Sequence, residues 1–178
     1  MADSSKLVPF ILSWETDKYT NNKKDKGGPT KYGITLATWR RVGYDKNGDG
    51  ILNEEDVKLL TEEDFHRVFK QNYWNACKAD QIQDQSVANM LVDFAYNSGV
   101  SKAVKHLQLV LGITADGIIG NKTLFAINKS NGKRLFEAFK KDRKAYLKRI
   151  AAGDQRVFLK GWLRRLSYIN YGNLKLNE

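Results

Sequence analysis

Trp14-Glu15-Thr16-Asp17-Lys18-Tyr19, followed by Asp25-Lys26-Gly27-Gly28-Pro29-Thr30-Lys31-Tyr32-Gly33-Ile34, is the stretch on which the reading of this chain turns. Ahead of it, Leu7, Phe10, Ile11 and Trp14 fall at i, i+3, i+4 and i+7, one face of a helix. Ser4 or Ser5 is placed to cap its start. Glu15 comes one turn after Ile11, on the margin of the apolar stripe, where a carboxyl is half-desolvated. A general acid uses such a position. The plain alternative is a surface glutamate, although the C-terminal end of a helix disfavours negative charge. Residues 20–34 have no helical period, and their glycines and Pro29 mark turns. A small hairpin between residues 18 and 34 is the one place where a sheet fits.

Outward from that stretch the pattern is helical. Thr35 caps a helix through Leu36, Trp39 and Val42. Thr61 and Asp64 open another, with Phe65, Val68 and Phe69 on its core face and Tyr73-Trp74 closing it. Val87, Met90, Leu91 and Phe94 give one face of a helix over 85–97 that stops at Gly99. Further helices are expected over 103–111, after Gly120, over 132–152 and over 155–171. No segment alternates with period two. The expectation is an all-α fold, mainly α with at most one small β-hairpin. It divides into a first domain over 1–95 and a helical second domain over 96–178.

Composition excludes several classes. With 178 residues, 42% of them hydrophobic, the chain can bury a core without staples. Cys77 is the single cysteine, so no intrachain disulfide forms, and it reads as a small, partly buried residue. His66 and His106 lack zinc spacing. No window reaches transmembrane length. The N-terminus does not read as a signal peptide. Synthesis in the cytoplasm is therefore expected, with any work outside requiring a non-classical or holin-type export route. The net charge of +10 suits an anionic partner. Nucleic acid is disfavoured, because the aromatics sit at core spacing rather than interleaved with basic residues.

Asp45-Lys-Asn47-Gly-Asp49-Gly50-Ile51-Leu52-Asn53-Glu-Glu-Asp56 matches the calcium-loop template. Its oxygens would come from Asp45, Asn47, Asp49, the Ile51 carbonyl and Asp56. Asp56 replaces the usual glutamate, and an Asx-rich turn that binds nothing is the alternative. Any such ion would be structural, and no cofactor is required for catalysis. Asp93 and Asn97, one turn apart, either face a polar ligand or form a structural hydrogen-bonded pair.

Taken together, Glu15, Asp25 and Thr30 suit glycoside hydrolysis. Glu15 would be the acid, and Asp25, in a polar loop, would stay ionised. Thr30 could hold a water. Glu15, Tyr19, Gly27-Gly28-Pro29-Thr30, Tyr32 and Gly33 resemble the pattern of the lysozyme-like glycoside hydrolase family 108. Thr16 and Asp17 depart from it, standing where that family has two glycines. The order Glu, Asp, Thr is also similar to that of the phage-type lysozymes. The second half, through Asp93, Asn97, Gly99, Gln108, Asp116-Gly117, Gly120 and Thr123, resembles the predicted peptidoglycan domain that accompanies the family. These resemblances imply a two-lobed lysozyme-like fold and a monomeric N-acetylmuramidase acting on bacterial peptidoglycan in the periplasm or at the wall. They also imply that Glu15, Asp25 and Thr30 are catalytic, and that Tyr19, Gly28, Tyr32, Asp93 and Asn97 hold substrate. A non-catalytic wall-binding or secretion-assisting protein is the alternative.

Overall fold

The computed structural model describes residues 1–21 and 28–178. The fold is mostly α-helical, with two very small hairpins. A 3₁₀ turn at Ser4–Lys6 leads into α1 (Val8–Trp14), which buries Phe10 and Ile11. The cap of that turn is Asp3, whose carboxylate accepts the Ser5 N–H at 2.8 Å, rather than either serine. Strands β1 (Thr30–Lys31) and β2 (Ile34–Thr35) pair antiparallel, Thr30 opposite Thr35. Their two-residue turn, Tyr32-Gly33, has positive φ at both positions, 51° and 70°. That is the twist a tight hairpin requires.

Thr35 caps α2 (Leu36–Val42) as its sequence implies. Two capping boxes follow, Asn53 with Asp56 on α3 (Glu54–Lys58) and Thr61 with Asp64 on α4 (Glu62–Phe69). The helical run expected to reach Trp74 loosens into a π turn over Lys70–Trp74. Helix α5 (Gln85–Ser98) is the axis of the molecule, and every residue from Ser86 to Ala95 is buried. A helix enclosed on all sides must be a central one. Around it lie α6 (Val100–Val110), α7 (Asn121–Lys129), α8 (Gly132–Ile150) and α9 (Leu159–Ser167), with α6 and α8 packed directly on α5.

Helix α9 stops four residues short of the expected end. The chain then forms a second hairpin, β3 (Ile169–Asn170) with β4 (Asn173–Leu174), turning at Gly172 with φ 78°. Tyr171 donates to Asp84 at 2.7 Å, and Asn177 bonds Ser13 through its backbone and side chain. The end of the chain is therefore fastened to both α5 and α1. One continuous apolar cluster runs from Ala2 to Ile169. The boundary expected between residues 95 and 96 lies within α5, and residues of both halves join that one cluster.

Candidate active site

Glu15 is the residue at which α1 ends. Its backbone turns extended, φ −98° and ψ 145°, and its amide still closes the last turn on Ile11. The segment beyond is clamped to the first hairpin, because Tyr32 N–H donates to the Thr16 carbonyl at 2.9 Å and Thr20 exchanges two backbone bonds with Thr30. The tight turn thus sits against the glutamate. A Cβ built on Gly33 would lie 2.5 Å from the Tyr96 hydroxyl oxygen and 2.7 Å from Glu15 Oε2. Only glycine lets the carboxyl, the phenol and the turn meet. Tyr96 in turn donates to the Tyr32 carbonyl at 2.8 Å. Burial, with the Glu15 charge beside it, pushes the Tyr96 phenol well above its ordinary value, so it stays a proton donor.

The other side of the glutamate is held by the far end of the chain. Arg165 Nη1 of α9 lies 2.9 Å from Glu15 Oε1. The same guanidinium reaches Asp93 Oδ1 through Nε at 3.1 Å and Nη2 at 2.7 Å. Asp93 Oδ2 is 2.7 Å from Arg143 Nη2 of α8. Burial alone would raise the Asp93 carboxyl. The charges of Arg165 and Arg143 outweigh it and hold that carboxyl below its ordinary 3.8. The result is a buried relay, Arg143–Asp93–Arg165–Glu15, drawn from four helix segments.

Asp93 is 0% exposed and engaged by two arginines, so its carboxylate lies in the core beside Arg165 rather than at the surface. Asn97 bonds the Asp93 backbone carbonyl at 2.6 Å rather than its carboxylate. It is exposed, and it borders a cavity of about 100 Å³ together with Ser98, Trp162 and Arg165. Tyr19 donates to Glu54 at 2.9 Å and carries Lys58 over its ring, which ties the post-Glu15 segment to α3. Thr30 donates its hydroxyl to the Gly28 carbonyl at 2.8 Å, with Gly28 at φ 64°. Asp25 and Gly27 lie outside the described residues.

The relay arginines were not among the sequence candidates. Their signal was present: an aspartate inside an apolar helix requires a cation. Arg143 sits between Phe139 and Tyr146, and Arg165 between Trp162 and Ile169, both on buried stripes.

Two further groups carry dense local hydrogen bonding. Gln108 Nε2 lies 2.7, 3.0 and 3.1 Å from Asp116 Oδ1, the Ile118 carbonyl and Thr123 Oγ1, sharing its two N–H groups among them, and Gln108 Oε1 accepts the Gly117 N–H at 2.8 Å. The Asp-Gly-Ile-Ile-Gly motif is therefore the lock of the α6–α7 loop. In the loop over 45–56, Asp45 accepts N–H from Gly48 and Gly50, Asn47 from Asp49, and Asp49 from Ile51. Asp56 is fully buried and spends one oxygen on Lys46 N–H and the other on Asn53 N–H. Among the described residues no three His, Cys, Asp or Glu side chains are grouped to hold a metal. In this arrangement Asp45, Asn47 and Asp49 accept the loop's own N–H groups, and the Ile51 carbonyl belongs to the same turn. Cys77 is wholly buried, and burial pushes its thiol up to about 12, which removes it as a nucleophile.

The fold has counterparts. Residues 8–99 match the family described as Glycosyl hydrolase 108, and residues 102–167 match the Predicted Peptidoglycan domain. The solved structure titled "Structure of Brucella abortus SagA" is similar at 36% identity and TM-score 0.78, covering 93% of this chain and 90% of that one. No curated protein matches. A glycoside hydrolase with peptidoglycan as its partner is the class these matches define. Within that class, the chain belongs to the glycosyl hydrolase 108 family, whose match spans more than half of its 178 residues. No helix among the described residues is long and apolar enough to cross a membrane.

Proposed function

We propose that this protein is an N-acetylmuramidase that cleaves the β-1,4 bond after N-acetylmuramic acid. The observation that carries the reading is Glu15: a carboxyl at a helix end, one oxygen held by a buried arginine and the other at a glycine turn. In this mechanism Glu15 donates its proton to the glycosidic oxygen as the bond to the anomeric carbon breaks. Asp25 stabilises the positive charge that develops on the ring or takes the proton from the incoming water, and Thr30 assists. Water supplies the hydroxyl at the anomeric carbon, leaving a muramic acid reducing end. Arg165 keeps the carboxyl oriented, and Tyr96 fastens the turn that bounds its other oxygen.

Digestion of purified peptidoglycan, with the products read by mass spectrometry, tests this. Muramic acid reducing ends from wild type and none from a folded Glu15→Gln variant are expected. Glucosamine reducing ends, or undiminished release by the variant, refute it. The substrate places the work in the periplasm or at the wall, reached by a holin-type or other non-classical route. A monomer is expected on size exclusion.

The Glu15–Arg165 ion pair also favours a second reading, a wall-binding or secretion-assisting scaffold in which the pair is only a strut. Binding to sacculi without clearing their turbidity would select it.

A further inference from the structure

A groove of about 890 Å³ runs beside the acid and takes no part in holding it. Its walls are the end of α2, the π turn after α4 and the start of α6. Its size lies within the ~300–1,000 Å³ typical of ligand sites. The link to the acid is short. Tyr73 lines the groove, its ring packs on Tyr96 with centroids 4.9 Å apart, and Tyr96 lies against Glu15. Ser98 lines both this groove and the small cavity at Arg165.

Its chemistry is distinctive. Arg41 stands on one wall, and Lys102 and Lys105, on one face of α6, stand on the other. All three are exposed, and none joins an ion pair with an acid among the described residues. Between them the lining is mostly apolar and small, from Val42, Ala76 and Val100. Separated cations over small apolar patches suit a ligand that alternates carboxylates with methyl groups. They suit a single compact phosphate less well, since that would need converging donors. In peptidoglycan the peptide stems alternate in this way, with alanine methyls between free carboxylates.

Resting on the muramidase reading, we propose that this groove is the subsite for the peptide stem, and that Arg41, Lys102 and Lys105 select stem-bearing over bare glycan. The second half of the chain then supplies half of the specificity site, through α6.

The test uses the full chain carrying Glu15→Gln, so that binding is read without turnover. Its affinity is measured by calorimetry for soluble glycan fragments with stems and for fragments stripped of stems by an amidase. Stem-bearing fragments are expected to bind about tenfold tighter, the scale of a few exposed charges acting together. Adding Arg41→Gln, Lys102→Gln and Lys105→Gln should abolish that preference. A charge-matched control, Lys122→Gln, Lys129→Gln and Lys133→Gln on α7 and α8, should keep it. The proposal falls if the groove variant still prefers stems, or if the control loses the preference equally. Absence of hydrolysis by the wild-type protein would overturn the muramidase reading and leave this comparison standing.

Discussion

Arg165→Met is the most informative single change. It removes a guanidinium that lies 2.9 Å from Glu15 and 2.7 Å from Asp93, at a position with 9% exposure. Breaking a buried pair by deleting one partner costs about 3–5 kcal/mol, because the other charge is left buried. Asp93 retains Arg143, so the lower half of that range is expected first. For a chain of this size each kcal/mol lowers Tm by about 2–4 °C, which gives a drop of roughly 6–16 °C. Thermal melts by circular dichroism read it, alongside release of soluble muropeptide. A companion variant separates stability from positioning. Replacing the three buried charges, Asp93→Leu with Arg143→Met and Arg165→Met, leaves only the half-buried Glu15 without its partner. Such replacements are often neutral or stabilising by about 1–4 kcal/mol. The triple variant should therefore melt higher than Arg165→Met alone yet stay inactive, since Glu15 has lost its anchor. A Tm within about 2 °C of wild type for Arg165→Met, with full activity, would refute the relay.

Other outcomes are equally specific. Asp93, Asp64 and Asp56 all hold their protons more weakly folded than unfolded. Their contribution is complete above the unfolded value of about 3.9 and is lost as pH falls through the lower folded values. Tm should thus hold from neutrality to about pH 5 and fall steeply below about pH 4, and Asp64→Asn, which gives up the Lys46 pair, should flatten that acid limb. Gly33→Ala should cost about 1–2 kcal/mol from its left-handed backbone alone. It should also cut activity at least tenfold by displacing the Glu15 carboxyl; native turnover would show that the turn does not hold the acid. For the loop over 45–56, calcium against EDTA should leave Tm unchanged. Asp45→Ala should lower stability in both by about 0.5–1.5 kcal/mol, from the lost bonds to the Gly48 and Gly50 N–H groups; a calcium-dependent rise abolished by Asp45→Ala would show that the loop binds the ion.

Much of the fold was legible because local rules and burial agreed. The stripe Leu7, Phe10, Ile11 and Trp14 places α1, and Thr35, Thr61 and Gly99 mark the helix ends they were expected to mark. The place of Glu15 at the end of α1 followed from its position one turn beyond Ile11. What escaped depends on residues far apart in sequence. Asp93 read as a ligand-facing polar group because its two cations lie 50 and 72 positions away, where periodicity carries no information. The second hairpin escaped because it is two residues wide, too short for any alternation to show. The 45–56 loop satisfied a template of spacing, but spacing does not say whether a carboxylate points outward or caps a helix, and Asp56 caps one.

The 150 positions between Glu15 and Arg165 also set a clock. A ribosome adding roughly 5–20 residues per second needs roughly 8–30 s to cover that distance. Throughout that interval the nascent chain carries its acid but not the arginine that steadies it. A transcript broken anywhere between the two codons yields a protein with a complete-looking first half and no assembled site. On the proposed reading, activity against a wall is thereby withheld until α9 has been made and Arg165 has packed against Glu15.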